Sequence, residues 1–176
     1  MKPLITAALF ALATLSLTPA ASAEFLIGPR LSVTVPVPGL APELGGAVDM
    51  RIASPTRMIA FGVGLQSALD GESGGLTLDA GHAWLLGSAD RWVPYFGAGV
   101  QVRALFFEDT RVTTFAVQGQ LGFVSARAGR SRFFAELRLV QNVLAFGAQD
   151  SLRGTPRPTP ADAWRFEPSV QTGFLF

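Results

Sequence analysis

The chain is 176 residues long and 49% hydrophobic, with 14 basic residues, 13 acidic ones and a formal net charge of +1 at neutral pH. That length suits a single domain, and a charge near zero argues against nucleic acid as a partner. With no cysteine and a single histidine, the chain has no disulfide scaffold, no thiol nucleophile and no donor set for zinc, so neither metal nor cofactor is expected.

Residues 1–23 read as a cleaved export signal. Lys2 precedes an apolar run from Leu4 to Leu17, and Ala21-Ser22-Ala23 fits the small-residue pattern at which such signals are cut. The run is shorter than the roughly 20 residues of a membrane-spanning helix, and no later stretch reaches that length without glycine or charge. Residues 24–176 then form the exported domain, in which every basic residue is an arginine.

From Glu24 onward apolar and small or polar residues alternate, which is the period of a strand. Strand 1, about 24–35, sets Phe25, Ile27, Leu31, Val33 and Val35 against Gly28, Arg30, Ser32 and Thr34, and "PVPGLAP" ends it. Strand 2, about 43–53, sets Leu44, Val48, Met50 and Ile52 against Glu43, Gly45, Ala47, Asp49 and Arg51. Ser54-Pro55-Thr56 is a tight turn. Strand 3, about 57–69, sets Ile59, Phe61, Val63 and Leu65 against Ala60, Gly62, Gly64 and Gln66, and "DGESGG" follows. Strand 4, about 75–86, sets Leu76, Leu78, Ala80, Trp84 and Leu86 against Thr77, Asp79, Gly81 and Ala83, with "GSAD" as its turn.

Strand 5, about 92–106, sets Phe96, Ala98, Val100, Val102 and Phe106 against Tyr95, Gly97, Gly99, Gln101 and Arg103. Strand 6, about 112–125, sets Phe115, Val117, Leu121 and Phe123 against Thr114, Ala116, Gln118, Gln120 and Gly122. Strand 7, about 132–146, sets Phe133, Ala135, Leu137, Leu139 and Val143 against Glu136, Arg138 and Asn142. The longest connection, 147–163, is rich in glycine and proline. Strand 8, about 164–176, sets Trp164, Phe166, Val170, Phe174 and Phe176 against Arg165, Glu167, Ser169, Gln171 and Gly173.

Alternation alone does not say whether the apolar face meets water-excluded core or lipid, since soluble lipocalin-like barrels alternate too. Four features favour lipid. The mixed face carries short side chains and few charges, as the crowded interior of a small barrel requires. Large aromatics fall at strand ends: Phe25, Trp84, Trp92, Phe123, Phe133 and Phe176 at one rim, and Phe106, Phe107, Phe115 and Trp164 at the other, like the girdles of a membrane barrel. The connections after strands 2, 4 and 6 are tight while that after strand 7 is long. The strands are long enough to cross the hydrocarbon, which takes roughly 9–11 tilted residues, and closure then follows because an open edge in lipid leaves backbone groups unpaired.

Residues 93–100, "VPYFGAGV", resemble the "PYxGxGxG"-type strand of the small outer-membrane barrel family that includes OmpA and OmpX. "FAELRL" at 134–139 is similar to that family's penultimate strand, and the terminal aromatics Phe174 and Phe176 resemble its assembly signal. The resemblance implies an all-β, eight-stranded antiparallel up-and-down transmembrane barrel, inserted by the outer-membrane assembly machinery with both termini in the periplasm. It implies no particular activity.

The inward charges on this reading are Arg30, Asp49, Arg51, Asp79, Arg103, Glu136, Arg138, Arg165 and Glu167. As a functional cluster they would form a selectivity filter or a catalytic site. As structure they would be a salt-bridge network filling a lumen just wide enough for side chains, and near-balance in sign favours the latter. His82 falls on the apolar face near Trp84. Lipid-modifying barrel enzymes use a histidine beside a serine, and "GHAW" has no serine at that spacing, leaving Ser67 as the one candidate on a neighbouring strand. The paired glycines at 62/64 and 97/99 lack a third glycine and a following helix, so they read as strand glycines that admit bulky neighbours, not as a nucleotide loop. The leading expectation is a structural or interaction barrel, not an enzyme. Its partners would be outer-membrane lipids, the assembly machinery and a cell-surface partner at the external loops, above all 147–163. A lipid-modifying barrel enzyme and a soluble exported barrel holding an apolar ligand are the alternatives.

Overall fold

The computed structural model describes residues 23–37, 41–71, 73–87, 92–107, 110–125, 131–149 and 166–176, with backbone alone at 107, 110 and 147–149. Arg165, Trp164, residues 1–22 of the expected export signal and most of the 147–163 connection lie outside the described residues. Eight strands follow in chain order: β1 (Glu24–Thr34), β2 (Glu43–Ala53), β3 (Arg57–Ala68), β4 (Ser73–Leu85), β5 (Trp92–Phe107), β6 (Thr110–Ser125), β7 (Arg132–Gln149) and β8 (Phe166–Leu175). Each pairs antiparallel with the next and β8 pairs with β1, so the sheet closes on itself. Strand ends depart little from expectation; the largest difference is β7, which continues past 146 to Gln149.

The closing seam joins β1 to β8 from Ile27 upward. Arg30 to Thr34 pair with Gly173 back to Ser169. Below them Ile27 and Phe176 exchange both backbone hydrogen bonds, at 3.2 and 2.9 Å, and above them the amides of Val35 and Val37 donate to the carbonyls of Pro168 and Phe166, each at 2.9 Å. Phe176 is thus a ladder residue, and the β1–β8 seam is hydrogen-bonded from Ile27 up to Val37 at the positions given. At the 54–56 turn the Ser54 amide donates to the Arg57 carbonyl at 2.8 Å, and the Ser54 hydroxyl accepts from the Arg57 amide at 3.1 Å. A serine that satisfies its own turn fixes the β2–β3 register.

The alternation assigned to each strand holds, with one correction in β7. Ala116 pairs with Asn142 and Phe115 with Leu144, so Val143 is an extra residue in a bulge. A bulge shifts side-chain phase by one. Leu144 and Phe146 therefore face outward, while Val143, expected to do so, is half-buried.

The outer surface is apolar on every strand. Leu31, Leu44, Leu65, Leu78, Val100, Leu121, Leu137 and Val170 are all exposed, Leu65 as much as 69%. Aromatics cap both ends of this belt. At the end holding the termini, Trp92 meets Phe133 at 5.9 Å, Phe133 meets Phe174 at 5.3 Å, and Trp84 stacks on Phe96 at 5.3 Å. At the other end Phe115 meets Phe146 at 6.0 Å and the Arg111 guanidinium lies over Phe106. The expected rim residues with described side chains lie at these two ends; Trp164 and the Phe107 side chain lie outside the described residues.

Candidate functional site

Chemistry-bearing side chains gather inside the barrel, because a strand with an apolar outer face has only its inner face on which to place them. Three layers stack from the end holding the termini upward.

The lowest layer is an apolar floor. Leu26, Ala53, Met58, Ala83, Tyr95, Val124, Phe134 and Leu175 form one buried cluster, supported by Leu85 and Val93. Phe134 fits across it because β8 offers a glycine: a Cβ on Gly173 would sit 2.7 Å from the Phe134 ring. Inward parity at the strand ends selects Leu26, Val124, Phe134 and Leu175 for this floor.

On the floor rests a closed ring of alternating charge. Arg30 binds Asp49 at 2.7 Å, Asp49 binds Arg51 at 2.7 Å, and Arg51 reaches Glu136 at 3.6 Å. Glu136 accepts from Arg138, Arg138 binds Asp79 at 2.7 Å, and Asp79 returns to Arg30 at 2.6 Å. All six residues are buried, and each has an opposite charge on both sides. Ions taken out of water are tolerable only when so compensated. The Tyr95 hydroxyl accepts from Arg51 at 3.2 Å and donates to Glu136 at 2.5 Å. The Arg51 guanidinium lies 3.8 Å over the Phe134 ring, a cation–π contact that joins ring to floor. Gly62 is what lets β3 pass behind Arg30 and Asp79: a Cβ there would stand 2.5 Å from the Asp79 carboxylate and 2.8 Å from the Arg30 guanidinium.

Above the ring is a smaller cluster. Arg103 binds Glu167 at 2.6 Å and Glu43 at 3.4 Å. Gln66 donates to Glu43 at 2.8 Å and Asn142 to Glu167 at 3.0 Å. Of the nine charges expected inside, eight are described, and all eight are buried and ion-paired in these two groups; Arg165 lies outside the described residues. Glu43 is a ninth described member. Its inward position was legible, but it had not been counted among the network charges. The inward position of Tyr95 is legible from its strand parity, while its bridge between Arg51 and Glu136 is not.

Among the described residues no three His, Cys, Asp or Glu side chains are placed to hold a metal ion. His82 lies on the outer face, edge-on to Trp84 at 4.5 Å. It pairs with Ile59 of β3, far along that strand from Ser67, which pairs with Gly74. The Ser67 hydroxyl instead donates to the Ala68 and Ser73 carbonyls. A histidine base acts on a serine only within hydrogen-bond reach, so this pair is not assembled.

No protein-family model and no curated protein sequence matches this chain. Solved structures do. Neisserial surface protein A (NspA) superposes with a TM-score of 0.64 at 10% identity, covering 88% of this chain and 97% of its own. The N-terminal β-barrel domain of Pseudomonas aeruginosa OprF superposes with a TM-score of 0.55 at 12% identity, covering 88% of this chain and all of its own. At such identities the likeness is one of fold: a small eight-stranded antiparallel barrel spanning essentially the described chain.

Proposed function

We propose that this chain is an outer-membrane β-barrel with a structural or interaction role, not a wide pore and not an enzyme. The observation that carries the reading is its inverted polarity. An apolar belt with aromatic rims faces outward, while the described charges between those rims face inward, four arginines ion-paired with five carboxylates. In water that arrangement would expose far more contiguous apolar surface than soluble proteins do; in lipid it is the required one.

The longest connection, that between β7 and β8, lies at the end opposite both termini, which supports a periplasmic position for the termini. Phe174 and Phe176 would then serve as the mark read by the assembly machinery. Outer-membrane lipids cover the belt, and recognition of a cell-surface partner belongs to the opposite connections, above all 147–163. The fold's likeness to NspA and the OprF barrel is consistent with this role.

The test is solubility and migration. The purified chain should need detergent to stay in solution and should run at different apparent sizes in gels with and without boiling. A chain soluble without detergent and insensitive to boiling overturns the reading, and a large steady current in planar bilayers overturns the filled lumen.

A further inference from the structure

We propose that the outer face carries a site for an anionic glycerophospholipid at the end holding the termini. Arg57 holds the phosphodiester, His82 donates to an oxygen of the same lipid, and one acyl chain lies over Ala98 and Gly119. This rests on the barrel reading above and deepens it, because it makes one stretch of the lipid-covered belt selective.

The first observation is a pair of outward polar groups with nothing in the protein to bind. Arg57 opens β3 and is exposed. Whereas each described charge of the lumen is ion-paired, none of the ion pairs of the described residues includes Arg57. Trp84 stands directly opposite it on β4, and His82 is on the same face two residues earlier. Diagonal neighbours on one face of a sheet are roughly 7–8 Å apart, within reach of a side chain as long as arginine. His82 is half-buried and edge-on to Trp84, and among the described residues its ring nitrogens have no hydrogen-bond partner. A guanidinium and an imidazole N–H at the edge of hydrocarbon call for an acceptor there.

The second observation is the relief of the surface beside them. The row that contains His82 runs on through Ala98 of β5 to Gly119 of β6. Both are exposed, and a Cβ on Gly119 would meet nothing within 4 Å. The adjacent row toward the termini holds Trp84 and Phe96, stacked at 5.3 Å. A low strip with an aromatic wall along one side thus starts at the two polar groups, which suits an acyl chain leading away from its headgroup.

Charge complementarity chooses the lipid. Guanidinium matches a phosphate through parallel hydrogen bonds. A zwitterionic lipid brings its own ammonium to that phosphate, whereas phosphatidylglycerol brings none and leaves the charge to Arg57.

Trp84 can report the site. With Trp92→Phe and Trp164→Phe it is the one indole left. This barrel would be refolded into phosphatidylcholine vesicles and checked for heat-modifiable migration. Its fluorescence would then be quenched by phosphatidylglycerol or phosphatidylcholine carrying a nitroxide on one acyl chain. Half-quenching should need about 3- to 5-fold less of the glycerol lipid, the scale of one arginine beside an anionic lipid. Arg57→Gln should abolish that preference while leaving quenching by the choline lipid unchanged, and His82→Phe should reduce it at least about 2-fold. Arg111→Gln, at the opposite rim beside Phe106, should leave it intact. Equal quenching by the two lipids in the parent barrel overturns the site, as does a preference that survives Arg57→Gln or His82→Phe, or one that Arg111→Gln removes. If neither lipid quenches Trp84, the barrel reading itself falls and the site with it.

Discussion

The two faces of one strand answer to different demands, and β6 shows it residue by residue. Outward, Phe115, Val117, Leu121 and Phe123 are exposed, and the outer-face Gly119 has open space where a Cβ would be. Inward, Thr114, Gln118, Gln120 and Val124 are buried, and Gly122 is hemmed in by Tyr95 and the β7 backbone. The outer face needs bulk apolarity and accepts almost any side chain that supplies it. The inner face is a fitted assembly in which the neighbours fix each residue.

The largest effect should come from breaking the ring. Arg138→Met keeps length but removes one of the two counter-charges of Glu136 and one of the two of Asp79. Stranding buried carboxylates in this way costs about 3–5 kcal/mol. Urea unfolding of the vesicle-bound barrel should show that loss, while a midpoint unchanged from the natural chain would mean that the ring is not the brace described.

A charge on the other face should cost nearly as much, for a different reason. Val63 lies midway along β3 and faces outward, so Val63→Arg puts a guanidinium into hydrocarbon at about 2–4 kcal/mol. Val63→Leu at the same site should change stability by no more than about 0.5 kcal/mol, as for an unconstrained surface position. If both substitutions proved neutral in the same urea assay, the belt would not be in lipid.

The contrast between faces also decides what the sequence could reveal. Strand number and the residues that share each face are written in the alternation; which face looks outward is written in the short, sparsely charged side chains of the mixed face and the aromatics at the strand ends. The inward charges were legible for the same reason. Their pairing was not: alternation puts Arg30 and Asp79 inside but does not say that β1 and β4 meet across the lumen, which depends on the tilt of the closed sheet. The floor was legible in principle, since inward parity at the strand ends selects apolar residues. The β7 bulge was not, because "NVLAF" places Val143, Leu144 and Phe146 in a run whose phase either face would accept.

Two glycines on β6 give the finest test of the comparison. Gly119 and Gly122 are of the same type, in the same strand and three positions apart in sequence, so intrinsic strand preference cancels between them. A Cβ on Gly122 would lie 2.6 Å from the Ala135 carbonyl oxygen and 2.7 Å from the Tyr95 ring and hydroxyl. The carbonyl belongs to the β6–β7 ladder and has no room to retreat, and Tyr95 is held by Arg51 and Glu136. Gly122→Ala should therefore destabilise by about 1–3 kcal/mol, as overpacking does. A Cβ on Gly119 would meet nothing within 4 Å, so Gly119→Ala should fall within about 0.5 kcal/mol of the natural chain. Equal effects at the two sites, read from urea midpoints, would show that the inner face yields as readily as the outer one.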